Sequence, residues 1–350
     1  MIETLTGILP KVGKPVETVS LPDGGTIVIL PHGGRILGLF AGGNKNNFFW
    51  THPALASVDS ARAFYESGEW QNSGGDRTWL APEADFFFPN FPATDKYWQP
   101  RGLDPGDYRV LRTPEGLILA NRLETVLSRS KRNLELAIAK TVTPAANPLR
   151  YERDLPAAPD VAYAGYNLRT SLDFAGPDAA AAPAVGLWNL LQLPHGGDML
   201  APVYSRSVPR VLFGSIPPEE LIVGDRLIRY RMRAAGDHKI AVRAVATSGR
   251  VGYLYPAGPL WALVVRNFSV DPSGEYVDVP WTDTDDFGYS FQACNINSTM
   301  GRFSELEYHV PAIGRGTGRV RCEDTSQVWA FRGPRDAILP IARRLLSAEV

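Results

Sequence analysis

Two glutamates and a histidine occur at alternating positions near the C-terminus, within residues 303–311. In a β-strand successive side chains point to opposite faces, so Glu305, Glu307 and His309 would share one face, about 7 Å apart in series. Two carboxylates this close shift each other's pKa values, which prepares one of them for proton transfer, and a histidine can pair with either. The competing interpretation is a solvated outer face on an edge strand.

A second candidate segment, residues 74–83, reads Gly-Gly-Asp-Arg-Thr-Trp-Leu-Ala-Pro-Glu. Paired glycines allow positive φ or a close approach of the backbone to a ligand. Arg77 carries a planar fork of donors suited to vicinal hydroxyls or a carboxylate, and Trp79 offers an apolar face for a sugar ring. This combination suits a carbohydrate cleft. The alternative is a tight turn in which Arg77 forms a salt bridge with Glu83 or Asp85.

A third segment, residues 188–198, reads as a strand that ends in a glycine turn. Alternation places Trp188, Leu190 and Gln192 on one face, where Gln192 among apolar neighbours could hydrogen-bond a ligand. His195 lies in the turn and is a candidate acid, with a solvated turn residue as the alternative. Between the second and third segments, residues 86–98 are rich in aromatic residues and prolines, which predicts a long loop that partly lines a pocket.

The remaining motifs give no sign of a metal or nucleotide site. The acidic run at residues 283–286 lacks the spacing of an EF-hand loop, and no P-loop, GxSxG or HExxH motif occurs. Cys294 and Cys322 do not form a CxxC pair, so neither a disulfide framework nor a thiolate zinc site is expected. We therefore expect no metal and no cofactor.

Composition limits the class of partner. The formal net charge of -1 and the scattered basic residues argue against nucleic acid and against an anionic membrane surface. No apolar run reaches the roughly 18 residues that a membrane span requires, and the N-terminus carries no signal-peptide pattern. These features predict a cytoplasmic protein that binds a small molecule; they do not indicate the oligomeric state.

The elements that must position these residues are mostly strands. Short alternating or β-branched runs are separated by abundant glycine (33) and proline (29), and Gly224-Asp225 marks a hairpin turn. This pattern predicts an all-β fold, a sandwich of antiparallel sheets, in one domain over residues 1–350. Helical spacing is confined to Asp59–Ser67 and to the tail Asp336–Ala348, which contains Pro340.

Taken in order along the chain, three segments resemble the galactose mutarotase-like superfamily, which includes the aldose 1-epimerases. They are residues 33–39 with 47–50, residues 74–82, and Glu305 and Glu307 before Pro311. The resemblance implies a large twisted antiparallel β-sandwich with a sugar cleft on one sheet face. It also implies acid–base isomerisation of a sugar without a cofactor, in which a histidine is the acid and a glutamate is the base.

Carried over to this chain, the resemblance makes Glu307 the better match for the base, with Glu305 second. The chain departs from the family pattern at the acid, because the expected histidine falls near Gln192 or Leu193. His195 and His309 are the remaining candidates for the acid. The residues expected to position the sugar are Asp76, Arg77, Trp79, Trp188 and Gln192.

Two other functions stay open at this point. One is a carbohydrate-binding protein that keeps the cleft without catalysis. The other is a polysaccharide lyase or glycosidase, since two carboxylates at a fixed separation can cleave a glycosidic bond. The ligand is expected to be a small sugar or an oligosaccharide. Few basic residues other than Arg77 stand near the candidate cleft, which disfavours a phosphosugar.

Overall fold

The structure is a computed structural model that describes residues 2–152, 160–176, 179–283, 285–286 and 288–346. Nineteen strands are present in this part of the chain. In chain order they are β1 (Glu17–Ser20), β2 (Thr26–Leu30), β3 (Arg35–Phe40), β4 (Asp76–Ala81), β5 (Arg109–Thr113), β6 (Gly116–Val126), β7 (Asn133–Pro144), β8 (Ala162–Phe174), β9 (Gly186–Pro194), β10 (Asp198–Pro202), β11 (Arg210–Phe213), β12 (Leu221–Val223), β13 (Leu227–Arg231), β14 (His238–Val242), β15 (Arg250–Ala257), β16 (Leu260–Asn267), β17 (Phe291–Ser298), β18 (Gly301–His309) and β19 (Arg321–Gly333).

The helices are few and short. They are α1 (Ile2–Ile8), α2 (Val58–Glu66), the single turn α3 (Glu83–Phe86) and α4 (Arg335–Leu346), with 3-10 turns at Leu9–Val12, Pro53–Ala56 and Ala179–Ala181 and an irregular turn at Gly102–Gly106. The two predicted helices correspond to α2 and α4, and Pro340 lies within α4. Residues 347–348 of the predicted tail lie outside the described residues. No helix in the described ranges is long and apolar enough to cross a membrane.

The strands form two large antiparallel sheets. The first has nine strands in the order β1-β2-β3-β4-β9-β18-β17-β14-β11, and the second has ten in the order β12-β13-β10-β15-β16-β19-β8-β7-β6-β5. The predicted hairpin at Gly224-Asp225 is the connection between β12 and β13. The predicted all-β antiparallel sandwich is therefore confirmed.

The main core lies between the two sheets. Apolar side chains from both sheets form one cluster there, as alternation along each strand requires, with Leu191 and Leu306 from the first sheet and Leu136 and Val264 from the second. One core shared by both sheets favours the prediction of a single domain.

Helices cover part of the outer faces of both sheets. Ile338 and Leu345 of α4 pack with Leu254 and Leu263 on the outer face of the ten-stranded sheet. In the nine-stranded sheet, α1 and α2 pack against β2 and β3. The outer face formed by β4, β9, β18, β17 and β14 is left for loops and for the candidate site.

Candidate functional site

Alternation along β18 divides its side chains between the core and the outer face. Leu306 and Tyr308 point into the core, where the Tyr308 hydroxyl donates to Asp324 of β19 at 2.7 Å. Glu305, Glu307 and His309 therefore share the opposite face, as the sequence predicts. All three side chains are nevertheless buried, and β18 lies inside the sheet between β9 and β17. The alternative of a solvated edge strand is excluded.

A cavity of about 300 Å³ lies over this face of the sheet. Its floor contains Arg77, Lys239, Glu305 and Glu307, and Glu83 lies at its side. Eight aromatic residues line the cavity: Trp70, Trp79, Phe88, Tyr97, Trp188, Phe213, Trp281 and Phe303. A concave, mostly apolar space with a few converging polar groups is the usual form of a small-molecule site. Phe88 and Tyr97 come from the predicted aromatic loop.

The Glu305 carboxylate is held by two residues of neighbouring strands. Arg77 of β4 pairs with it at 2.9 Å (Nη1 to Oε1), and Gln192 of β9 donates to the same oxygen at 3.0 Å. The Arg77 guanidinium stacks over the Trp79 ring at 4.1 Å. Gln192 and Glu305 are directly opposite in the β9–β18 register. The register of β9 and β18 thus brings together two segments whose contact could not be predicted from the sequence.

The Glu307 carboxylate has one occupied oxygen and one free oxygen. Lys239 of β14 lies 3.0 Å from Oε2, and the Trp188 indole N–H donates to Oε2 at 2.8 Å. Oε1 is buried without a hydrogen-bond partner among the described residues. Burial raises the pKa of Glu307 to about 7, with Glu305 adding to the rise and Lys239 opposing it. Glu307 is therefore a proton acceptor whose pKa lies near neutral pH.

Glu83 is a further carboxylate of the cavity that the sequence offered only as a salt-bridge partner of Arg77. It begins α3 and accepts a hydrogen bond from the Tyr97 hydroxyl at 2.9 Å. Burial raises its pKa, and nearby Asp278 adds to the rise while Lys239 opposes it. Its protonated form is thus favoured more than that of an ordinary glutamate, which suits a proton donor.

Lys239 is the functional residue that sequence reasoning missed entirely. It lies on β14, directly opposite Cys294, and its ammonium is 4.5 Å from the centre of the Trp188 ring. Burial disfavours its charged form, but Glu307, Glu83 and Asp278 outweigh burial and raise its pKa above the ordinary value. A lysine within an otherwise apolar strand segment is a signal that could have indicated a buried partner.

The two candidate histidines do not line the cavity. His309 lies on the same sheet face but outside the cavity lining, where its ring stacks on Trp188 at 5.5 Å and its Nε2 is 3.7 Å from Asp278. Burial lowers the pKa of His309 to about 4, so the ring is neutral at neutral pH. His195 lies in the turn after β9 and is half-buried. Among the described residues, no histidine lines this cavity.

Asp76 and the paired glycines lie away from the cavity. Asp76 points between the sheets, where it accepts from the Tyr166 hydroxyl at 2.6 Å and pairs with Arg266 at 3.1 Å. Gly74 and Gly75 both have positive φ. A Cβ at either position would lie within 2.4 Å of a backbone oxygen of a neighbouring segment, so the glycines allow strand packing and not ligand approach.

Cys294, Glu305 and Glu307 bring their ligand atoms within 4.8 Å of one another. Arg77 and Lys239 already neutralise the two carboxylates, and burial raises the pKa of Cys294, which keeps it a thiol. This environment opposes a divalent cation. Of the acidic run at 283–286, Thr284 lies outside the described residues, and Asp286 pairs with Arg243 at 2.6 Å.

Comparison with known proteins gives a family and a fold. The model of a family of unknown function, DUF6786, matches residues 11–350. The chain belongs to this family. A search of curated proteins finds no match for the DUF6786 chain.

Among solved structures, a galactose mutarotase-like protein from Lactobacillus casei ATCC 334 aligns over 90% of this chain and 99% of its own, with 11% identity and a TM-score of 0.50. Galactose 1-epimerase from Lactobacillus acidophilus NCFM aligns over 91% of this chain and 94% of its own, with 9% identity and a TM-score of 0.39. The first likeness shows that this DUF6786 member has the galactose mutarotase-like fold. At this identity it does not assign an activity.

Proposed function

We propose that the cavity binds a sugar and that Glu307 acts as the general base in an isomerisation at its anomeric carbon. The observation that carries the proposal is the free Oε1 of Glu307, a buried acceptor at the floor of an aromatic cavity, on a carboxyl whose pKa is raised to about 7. A base with a pKa near the working pH is the most effective proton acceptor.

The chemistry requires two proton transfers. Glu307 Oε1 takes the proton of the anomeric hydroxyl, the bond between the anomeric carbon and the ring oxygen breaks, and the ring oxygen receives a proton. Rotation about the bond between the first two carbons and the reverse transfers close the ring with the other configuration. Glu83 is the proton donor that we assign to the ring oxygen, because it lies at the side of the same cavity and burial favours its protonated form. In this proposal Glu83 takes the place of the histidine that the family resemblance implies.

The surrounding residues would orient the sugar. Trp and Phe faces contact the C–H surfaces of a sugar ring, and Phe88, Phe213, Trp281 and Phe303 are lining rings over which no cation of the described residues lies. Arg77 lies over Trp79 and Lys239 lies over Trp188, and these contacts fix the two indoles. Arg77 and Gln192 hold Glu305, which in turn adds to the pKa rise of Glu307. A cavity of about 300 Å³ fits a single sugar better than a polymer, which disfavours the lyase and glycosidase alternatives.

A second candidate function is sugar binding without catalysis. It is favoured by the pairing of both cations of the floor with carboxylates and by the position of His195 and His309 outside the cavity lining. In this case Glu307 Oε1 would only accept a hydrogen bond from a sugar hydroxyl.

Anomer exchange separates the two candidates. Freshly dissolved α-anomers of a panel of common aldoses are followed by polarimetry or NMR, and binding of the same aldoses is measured by ligand-observed NMR. The proposal predicts that at least one aldose both binds and equilibrates faster than the uncatalysed background. Binding with no acceleration for any aldose supports the binding function, and absence of both contradicts a sugar site.

A further inference from the structure

The charges around the cavity are unbalanced. Two cations, Arg77 and Lys239, face four buried carboxylates, which are Glu83, Asp278, Glu305 and Glu307. His309, which lies 3.7 Å from Asp278, adds no positive charge at neutral pH because burial lowers its pKa to about 4. Within the described residues, this buried group therefore carries more negative than positive charge when its carboxylates are ionised.

Both cations are already engaged. Arg77 is paired with Glu305 at 2.9 Å and stacked on Trp79, and Lys239 is paired with Glu307 at 3.0 Å and lies over Trp188. An anionic ligand would compete with Glu305 or Glu307 for these cations, although Nε of Arg77 has no hydrogen-bond partner among the described residues. Displacing either carboxylate would leave it buried without its partner, which is unfavourable.

The lining of the cavity also favours a cationic ligand over an anionic one. The aromatic rings that carry no cation from the protein include Phe88, Phe213, Trp281 and Phe303. Aromatic faces together with carboxylates attract ammonium groups. Glu307 Oε1 is a buried acceptor with no hydrogen-bond partner among the described residues, and an ammonium can donate to it.

On the basis of the function proposed above, we infer that the cavity selects sugars by charge. A sugar that carries a protonated amino group binds more tightly than its neutral parent, and a sugar that carries a carboxylate or phosphate is rejected. This order of affinities follows from the three carboxylates that line the cavity, the nearby carboxylate of Asp278, the two paired cations and the aromatic lining.

Burial is the main cause of the raised pKa values of Glu307 and Glu83, and neighbouring carboxylates add to it, so the group retains protons that a bound ammonium would displace. The titratable groups that act on the Glu307 carboxyl are Lys239, Glu305, Glu83 and Cys294. Binding of an amino sugar near pH 7 should therefore release protons, whereas binding of the neutral parent should not. Calorimetry in two buffers of different ionisation enthalpy measures this release.

Equilibrium binding tests the inference with matched probes. The sugar series is glucosamine, glucose, glucuronate and glucose 6-phosphate. The second series contains no sugar: choline, its neutral isostere 3,3-dimethyl-1-butanol, and 3,3-dimethylbutanoate. We expect the ammonium member of each series to bind at least fivefold more tightly than the neutral member, and no detectable binding of the anions in the same concentration range.

Two variants provide the control. Glu307→Gln removes one negative charge from the floor and should reduce the ammonium preference to about twofold or less, whereas Glu124→Gln on the exposed side of β6 should leave it unchanged. Equal or tighter binding of the neutral or anionic member overturns the inference, as does absence of binding by every probe. These experiments measure binding and not catalysis, so they do not depend on the isomerase activity. A preference for choline without binding of any sugar would support selection by charge and contradict the proposed sugar function.

Discussion

Glu305 and Glu307 lie two residues apart on one strand face, yet their surroundings differ. Arg77 and Gln192 meet at one oxygen of Glu305, whereas Glu307 keeps one oxygen without a partner among the described residues. The difference comes from the neighbouring strands, since Gln192 of β9 is opposite Glu305 and the apolar Leu190 is opposite Glu307. Identical side chains thus have different surroundings, and the proposed function assigns the proton acceptor to the one with the free oxygen.

The pH dependence of the reaction should report Glu307. Because the base acts in its ionised form and burial raises its pKa to about 7, kcat/KM should rise about tenfold between pH 6 and pH 8 on the acid limb. The measurement is the rate of anomer exchange against pH at substrate concentrations below KM.

Lys239 provides a control for this assignment. Its ammonium opposes the rise in the pKa of Glu307, so Lys239→Met should move the acid limb to higher pH. An acid limb at the same pH in this variant and in the unmodified protein would show that another group controls the rate.

At the scale of elements, the sequence predicted what local periodicity determines. Alternation placed Glu305, Glu307 and His309 on one face because a strand has a period of two, whatever its neighbours are. The same rule explains why Asp76 does not accompany Arg77: adjacent residues of β4 point to opposite sides of the sheet. Lys239 and Glu83 could not be placed at the site in this way. The order of strands in the sheet brings Lys239 to the cavity floor, and the single turn α3 brings Glu83 to its side.

The irregular turn Gly102–Gly106 should act as a positioning element for the cavity wall. The Oδ2 atom of Asp104 accepts from the indoles of Trp79 at 3.0 Å and Trp70 at 3.2 Å, and it pairs with buried Arg35 at 2.8 Å. Asp104→Asn should destabilise the protein by about 3–5 kcal/mol, because it leaves the buried Arg35 charge without its carboxylate partner. Denaturant unfolding measures the loss.

The exposed Asp107→Asn provides the matched control and should change stability by less than about 0.5 kcal/mol. In the Asp104 variant, the indole N–H resonances of Trp70 and Trp79 should shift in NMR spectra. Unfolding and indole resonances that are the same in both variants would rule out the proposed anchor.

The segment 89–98 is held over the cavity by Tyr97. Its hydroxyl donates to Glu83 at 2.9 Å, and its ring stacks on Phe87 at 5.6 Å. Tyr97→Phe removes a hydrogen bond to Glu83, typically worth about 0.5–1.5 kcal/mol when the acceptor is uncharged, as the proposed role of Glu83 requires, so amide exchange in this segment should be about two- to tenfold faster. Hydrogen exchange followed by mass spectrometry measures it.

The neighbouring Trp98 is partly exposed and does not line the cavity, so Trp98→Phe is a suitable comparison. Exchange that is equally fast in both variants would indicate that the Tyr97 hydroxyl does not hold the segment.

At the scale of the whole molecule, the two sheets bury a large apolar core, and the site occupies the part of one outer face that α1 and α2 do not cover. The fold was predictable because turn residues and short strands recur along the entire chain. The burial of the site was not, since it depends on loops and on α3 closing over a central strand.

The buried carboxyl should also affect global stability. The pKa of Glu307 is raised from 4.5 to about 7 in the folded protein. The contribution of this group to the free energy of unfolding is therefore complete below pH 4.5 and is lost as the pH rises through 7. The stability of the unmodified protein relative to Glu307→Gln should therefore fall by on the order of 2 kcal/mol between pH 5 and pH 8. Denaturant unfolding at both pH values gives the difference, and a constant difference would contradict the shift.

The central claim is that Glu307 accepts the proton in a reaction at the anomeric carbon. The most direct measurement is the anomer exchange rate of a bound aldose for the unmodified protein, Glu307→Gln and the control Glu124→Gln, with binding measured in parallel. We expect Glu307→Gln to lower kcat at least 100-fold while the aldose affinity changes only a few-fold, and the control to retain full activity. An unchanged rate in Glu307→Gln would contradict the assignment of Glu307 as the base.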